Sequence, residues 1–240
     1  MDVFPLQPPP FSGATRKVVL TNAFEWLRQG WAIFLGAPTL WLTLGFGLLL
    51  FWGAFEFMFV FTLATAAPGL TRQLLSGFFL FAPAIVLPLI AVGGLQMCRR
   101  LAAGETPEMS DLAWGFREKS WPLLGVGALL LAGLLGLLAC AALIKGPLAL
   151  FLPTLAGFAF LMAIWFMPVL VGFHGMPLGG ALKASFMACA GNLGAFFAFG
   201  LVMMILHFLA ILPLGLGLPV LLPVVIGTMH ASYRDVFPES

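Results

Sequence analysis

The sequence predicts an all-α polytopic membrane bundle: six transmembrane helices with three short helices at the membrane surface. Three observations predict it. Hydrophobic residues make up 62% of the 240-residue chain and charged residues only 8%, where a soluble domain carries about 25% charged residues. Such a chain cannot cover a water-facing surface with polar groups, so hydrocarbon is its natural solvent. The second observation is six apolar stretches, at 38–65, 74–98, 121–144, 148–173, 193–212 and 214–232, each near the ~20 residues a helix needs to cross a bilayer. The third is an alternation in the polar pieces between them, which are basic and nearly uncharged by turns.

The chain opens MDVFPLQPPPFSGATRK. A signal peptide has a basic start followed by an unbroken apolar core. Here Asp2 and the prolines come first, and Arg16 and Lys17 follow. Residues 1–17 therefore read as an uncleaved disordered tail whose prolines favour extended backbone. One transmembrane domain covers 18–236, and 237–240 form a C-terminal tail.

The first short helix is TNAFEWLRQGWAIFL. Phe24, Leu27 and Trp31 share one face, with Glu25, Arg28 and Gln29 opposite. A helix of this pattern lies in the headgroup layer with its apolar face down. The second, TPEMSDLAWGFREKSW, has helix-start chemistry: Thr106 as cap, Pro107 at the first position, and Glu108 at the positive end. The third is PLGGALKASFMACAGN, before the fifth stretch.

These pieces predict an internal repeat. With Trp31 set over Trp114 and Ser185, the starts of the following spans coincide at Pro38, Trp121 and Asn192. Each unit is a short helix, a span without interior proline, and a span with prolines: Pro83 and Pro88, Pro153 and Pro168, Pro219 and Pro223. The interval from Pro88 to Arg99 equals that from Pro223 to Arg234. The units run over about 21–100, 105–173 and 177–234, a threefold helix–hairpin arrangement. The interior prolines bend their helices, and neighbouring helices satisfy the freed backbone groups.

Cation placement sets the orientation. Arg16, Lys17, Arg28, Arg99, Arg100, Arg117, Lys119, Lys183 and Arg234 fall on one side, and only Arg72 and Lys145 on the other. Basic loops stay in the cytoplasm, so both termini are expected there.

Candidate functional residues are few. Glu56, inside FWGAFEFMFVF, is the one acid within a span, and a charge at bilayer centre costs roughly 2.5–3.5 kcal/mol on insertion scales. Gly45, Leu49 and Gly53 lie near its face, so shelter against protein is expected. His207 sits at a matching depth in the fifth span. A Glu56–His207 hydrogen bond would satisfy both, as a proton relay or polar substrate contact, or as a purely structural pair. Arg99, Arg100, Arg117, Lys119 and Arg234 either gather around anionic lipid headgroups or simply anchor the topology. His230 and Arg234 share a helix face, with Tyr233 suited to the interface belt. Ala128, Ala132, Gly136 and Cys140 form a ridge of small residues in the third span, which lets another helix approach closely. That span is expected at the centre of the bundle or against a partner subunit.

Other chemistry is not encoded. Cys98, Cys140 and Cys189 are odd in number and far apart, which argues against disulfides and metal sites. There is no HExxH, P-loop, GxSxG or CxxC motif, so neither an enzyme nor a cofactor is expected. A net charge of +2 gives no case for nucleic acid. The acids Glu105, Glu108, Asp111 and Glu118 lie beside cations in the 99–120 loop, a self-neutralising solvated face.

Two regions, FEWLRQGWAIFLGAPTLWL and the stretch from GALKASFMACAGNLGAFFAFG to LGLGLPVLLPVVIGTMHASYRDVF, carry a resemblance. They hold Ala-Leu before an Asn at a span start, Gly-Leu-Gly before the last span, and Tyr-Arg-Asp after it. The chain resembles a family of uncharacterised six-span proteobacterial inner-membrane proteins. That family is related to the membrane-anchor domain of some glycerophosphodiester phosphodiesterases. The resemblance implies a multi-pass bacterial inner-membrane protein. The phosphodiesterase activity belongs to a separate soluble domain and is not carried over. Two function classes follow. One is a non-catalytic accessory or scaffold protein that contacts lipid, a membrane-protein partner or a second copy of itself. The other is a transporter or channel for a small or lipid-like solute, with Glu56 and His207 as its polar centre.

Overall fold

The computed structural model describes residues 11, 13–146 and 148–238. Of the expected tails 1–17 and 237–240, residues 1–10, 12, 239 and 240 lie outside the described residues; the described parts correct the disordered reading, with Phe11 stacked on His174, Arg16 paired with Asp235 and Phe237 fully buried. Those described form helices and no strand. In chain order they are α1 (Asn22–Gly36), α2 (Pro38–Thr65), α3 (Leu70–Ala102), a 3₁₀ turn (Met109–Ala113), α4 (Trp114–Glu118), α5 (Ser120–Leu143), α6 (Leu148–Ile164), α7 (Met167–His174), α8 (Leu178–Gly191), α9 (Leu193–Ile211) and α10 (Leu218–Val236).

Local chemistry sets the boundaries. Ala37 leaves the helical region between α1 and α2, and Pro38 takes the first turn of α2, where its missing N–H costs nothing. The second short helix starts later than expected. A reciprocal capping box between Glu108 and Asp111 opens it, in place of Thr106. Pro83 and Pro88 sit inside α3 without ending it. Pro168 accompanies a full break between α6 and α7. That break is stitched by Ser185 of α8, which donates to the Met162 carbonyl at 2.8 Å and accepts the Phe166 N–H at 3.0 Å. The expected sixth stretch loses its first turn. Leu214 and Gly215 adopt positive φ, so α10 starts only at Leu218.

Five stretches are long and apolar enough to cross a membrane: Pro38–Thr65, Leu70–Ala102, Ser120–Leu143, Leu148–His174 and Leu193–Ile211. Helix α10 is not among them, because its last turns carry His230, Ser232, Tyr233, Arg234 and Asp235. It is instead the most enclosed long helix of the bundle, with twelve buried residues named from Pro219 to Val236. It runs back until the Arg16 N–H donates to the Val236 carbonyl at 2.9 Å. Both ends of the described chain therefore meet at one end of the bundle.

The short helices lean on proline-bearing helices. Helix α1 packs along α10, the Met109–Glu118 segment along α3, and α8 along α6. The α1–α10 crossing is close enough to require glycine on both sides: a Cβ on Gly30 would strike Thr228 and the Val224 carbonyl, and one on Gly227 would strike Gly30. This corrects the two-faced reading of α1. Phe24 and Trp31 do point outward, 56% and 47% exposed, but a separate stripe of Ala23, Trp26, Gly30 and Phe34 is buried against the protein.

The small-residue ridge on α5 does not face the centre of the bundle, the first of its two expected places. Ala128, Ala132 and Gly136 are exposed, and Cys140 is half-buried. Close packing of α5 uses the other glycines. Gly127 lies on the Ile85 backbone, Gly125 on Leu178, and Gly133 on the Phe160 ring. Packing is densest toward the end that holds the chain termini. There Trp41, Leu95, Leu123, Phe166 and Leu170 are fully buried, whereas Leu50, Phe57, Leu138 and Leu155 further along are exposed.

Candidate functional site

The bundle holds a half-open cavity of about 750 Å³. Helices α2, α3, α5, α6, α9 and α10 each contribute to its wall, together with Trp165 and Pro168 at the α6–α7 break. The lining is mostly Leu, Ile, Val and Pro. Among the described residues that line it, Glu56 and His207 are the only two with ionisable side chains. The cavity thus unites the two residues that the sequence singled out, together with Pro83, Pro88 and Pro168.

It does not join them in a bond. No hydrogen bond or ion pair holds Glu56 among the described residues, and both side chains are exposed. Helices α2 and α9 do not pack along one another, and the two residues share only the cavity wall. The expected shelter is half present. Gly45 abuts the Pro219 backbone, but nothing lies within 4 Å of where a Cβ on Gly53 would sit. His207 Nδ1 lies 2.9 Å from the Met203 carbonyl, one turn back on its own helix. A carbonyl only accepts, so Nδ1 carries the hydrogen and neutral imidazole leaves Nε2 as an acceptor.

Trp165 marks the other end of the cavity. Its indole N–H reaches the Ser232 hydroxyl at 3.4 Å, and Ser232 donates to the Met229 carbonyl at 3.1 Å. Beyond it the polar residues close ranks. Tyr233 is buried and hydrogen-bonded to His174, which corrects its expected place in an outer aromatic belt. His230 is buried while Arg234 is exposed, so the two do not form one surface patch. Phe11 stacks on His174 with ring centroids 3.7 Å apart.

Three polar residues that the sequence reading gave no role organise this closed end. Asp235 accepts from Asn22 Nδ2 at 2.6 Å and Trp26 Nε1 at 2.8 Å, and pairs with Arg16. Asn192 accepts the Val18 N–H at 2.8 Å and donates to the Arg16 and Ala188 carbonyls at 3.1 and 2.9 Å. Ser185 holds the α6–α7 break. Asn192 and Asp235 stood in the motifs quoted above, at a span start and in Tyr-Arg-Asp, which was the available signal.

The basic residues meet different partners. Arg100 is engaged by Asp111 and Glu105 at 3.1 Å each. Arg99 lies over the Phe173 ring, 4.5 Å from its centroid. Arg117 and Arg234 are exposed and Lys119 is half-buried. On α1, Glu25 pairs with Arg28 at 2.7 Å. The Arg28 and Gln29 hydrogen bonds hold the Glu25 carboxyl down at about 2, from an ordinary 4.5.

Comparison with known proteins is brief. The chain is 29% identical over 215 residues to a protein of Burkholderia thailandensis named a probable inner membrane protein, a match covering 78% of this chain and 73% of the relative. No family model matches, and no solved structure matches. None of these comparisons connects the chain with the phosphodiesterase anchor domain.

Proposed function

We propose that the chain is a non-catalytic, six-span inner-membrane protein that holds and moves a lipid-like molecule in its central cavity. The observation that carries this reading is the shared wall: the six long helices line one half-open apolar space that Glu56 and His207 both face. Its size falls within the roughly 300–1,000 Å³ of ligand pockets, and an apolar lining with a few polar groups is their usual make-up. Intramembrane ionisable residues are costly, and where they face a cavity they mark substrate paths.

Six spans are supported by the meeting of the chain ends. Helix α10 has 19 residues, about 28 Å at 1.5 Å per residue, close to the ~30 Å hydrocarbon core. An odd number of crossings would separate Arg16 from Asp235. The cation distribution favours a cytoplasmic position for that end. The relative's name supports the inner membrane.

The threefold repeat is supported by the order of contacts. Each short helix leans on the proline-bearing helix of the preceding unit, and α1 closes the ring on α10. Each of the three proline-bearing helices contributes residues to the cavity wall. This wall, which holds the two ionisable residues, favours the solute-binding class over a scaffold.

The test is transfer of a fluorescent single-chain amphipath between the leaflets of proteoliposomes. The purified protein accelerates it, and Ala91→Trp, which fills the cavity, abolishes the acceleration. Equal rates with and without protein would sink the proposal.

A further inference from the structure

We infer that the cavity selects a cationic amphipath, a long-chain amine, with its ammonium group at Glu56 and His207 and its tail along the apolar wall. This rests on the proposed reading of the cavity and names the class of molecule it takes.

The polar groups in the cavity are mismatched in a way that a ligand can correct. An ionised Glu56 offers only acceptors, and no partner meets it among the described residues. His207 spends its Nδ1–H on the Met203 carbonyl, so neutral imidazole also presents an acceptor. The Trp165 N–H is taken by Ser232. Two acceptors facing one space call for donors, and an ammonium head supplies three.

Aromatic placement points the same way. Trp52 and Glu56 are four apart on α2 and both line the cavity, so the indole and the carboxylate share a face. A cation beside a carboxylate and over an indole gains from both. A carboxylate head would be repelled by Glu56. The two cations that the sequence reading sets on the opposite side from the other nine, Arg72 and Lys145, do not line the cavity. A hydroxyl head could donate a single uncharged bond. The rest of the wall, including Leu87, Ile90, Val126, Leu130 and Leu161, offers a tail only apolar contact.

The test uses the full chain in mild detergent with an equimolar mixture of hexadecylamine, hexadecanol and hexadecanoate, and counts adducts by native mass spectrometry. The amine adduct should exceed the alcohol by about tenfold, the worth of one charge-assisted hydrogen bond. Glu56→Gln should bring the amine down to the level of the alcohol while leaving the elution profile unchanged. Ala91→Trp should remove all three. If the three bind equally, or the carboxylate dominates, and Ala91→Trp still removes them, the selectivity inference falls while the cavity reading stands. If nothing binds, or Ala91→Trp changes nothing, the cavity reading falls with it.

Discussion

The indole N–H of Trp26 donates to the Asp235 carboxylate at 2.8 Å, tying the first helix of the chain to the last turn of the final one. Asn22 and Arg16 meet the same carboxylate. The three contacts close the bundle at the end where its packing is densest. Asp235→Ala strands an indole N–H and an amide and removes a charge partner. Unsatisfied groups of this kind cost about 1–3 kcal/mol each. The expected result is a lower melting temperature in detergent and faster proteolysis between residues 13 and 21. Asp235→Asn keeps one acceptor and should fall between wild type and Ala.

Close backbone contacts give a second prediction. Gly127→Ala drives a methyl into the Ile85 backbone, and overpacking of this kind costs about 1–3 kcal/mol. Gly136→Ala meets nothing within 4 Å and gains helix propensity, up to about 1 kcal/mol. Thermal unfolding of the two variants should shift in opposite directions. A destabilised Gly136→Ala would show that the ridge is occupied by a neighbour.

Ser185 bridges a helix break from another helix. Ser185→Ala leaves the buried Phe166 N–H without its acceptor, at a cost of about 1–3 kcal/mol. Hydrogen exchange at Phe166 should accelerate, while the ends of α5 stay as in wild type.

The Glu25–Arg28 pair predicts a pH response. A carboxyl held at about 2 instead of 4.5 favours the folded helix above 4.5 and loses that advantage as pH falls toward 2. Arg28→Ala should return the Glu25 midpoint, followed by carboxyl NMR, toward 4.5. An unchanged midpoint would exclude the pair as its cause.

Much of this was legible in the residues. Apolar length placed five of the six expected spans, and Pro38 marked a helix start, because both effects are local. Glu56 and His207 were paired by depth along their helices, and they do share one cavity. That they do not touch was not legible, because it depends on how far α2 and α9 diverge, which no local rule fixes. The two faces of α1 were misjudged for a similar reason. Phe24 and Trp26 are both large and apolar, and contacts about two hundred residues away, Asp235 on Trp26 and Gly227 on Gly30, accompany the turn of Trp26 inward. The α5 ridge shows the same limit: a spacing of small residues permits close approach, but Gly127 rather than Ala128 meets the neighbouring backbone.

The central claim is an open apolar cavity between Glu56 and Trp165 in the protein as it sits in a membrane. A cryo-EM map of the chain in lipid nanodiscs, enlarged by a rigid bound antibody fragment, tests it most directly. The account predicts six helices around an elongated non-protein density that reaches Glu56 and His207. A map with α9 packed along α2 and side chains filling that space would contradict it.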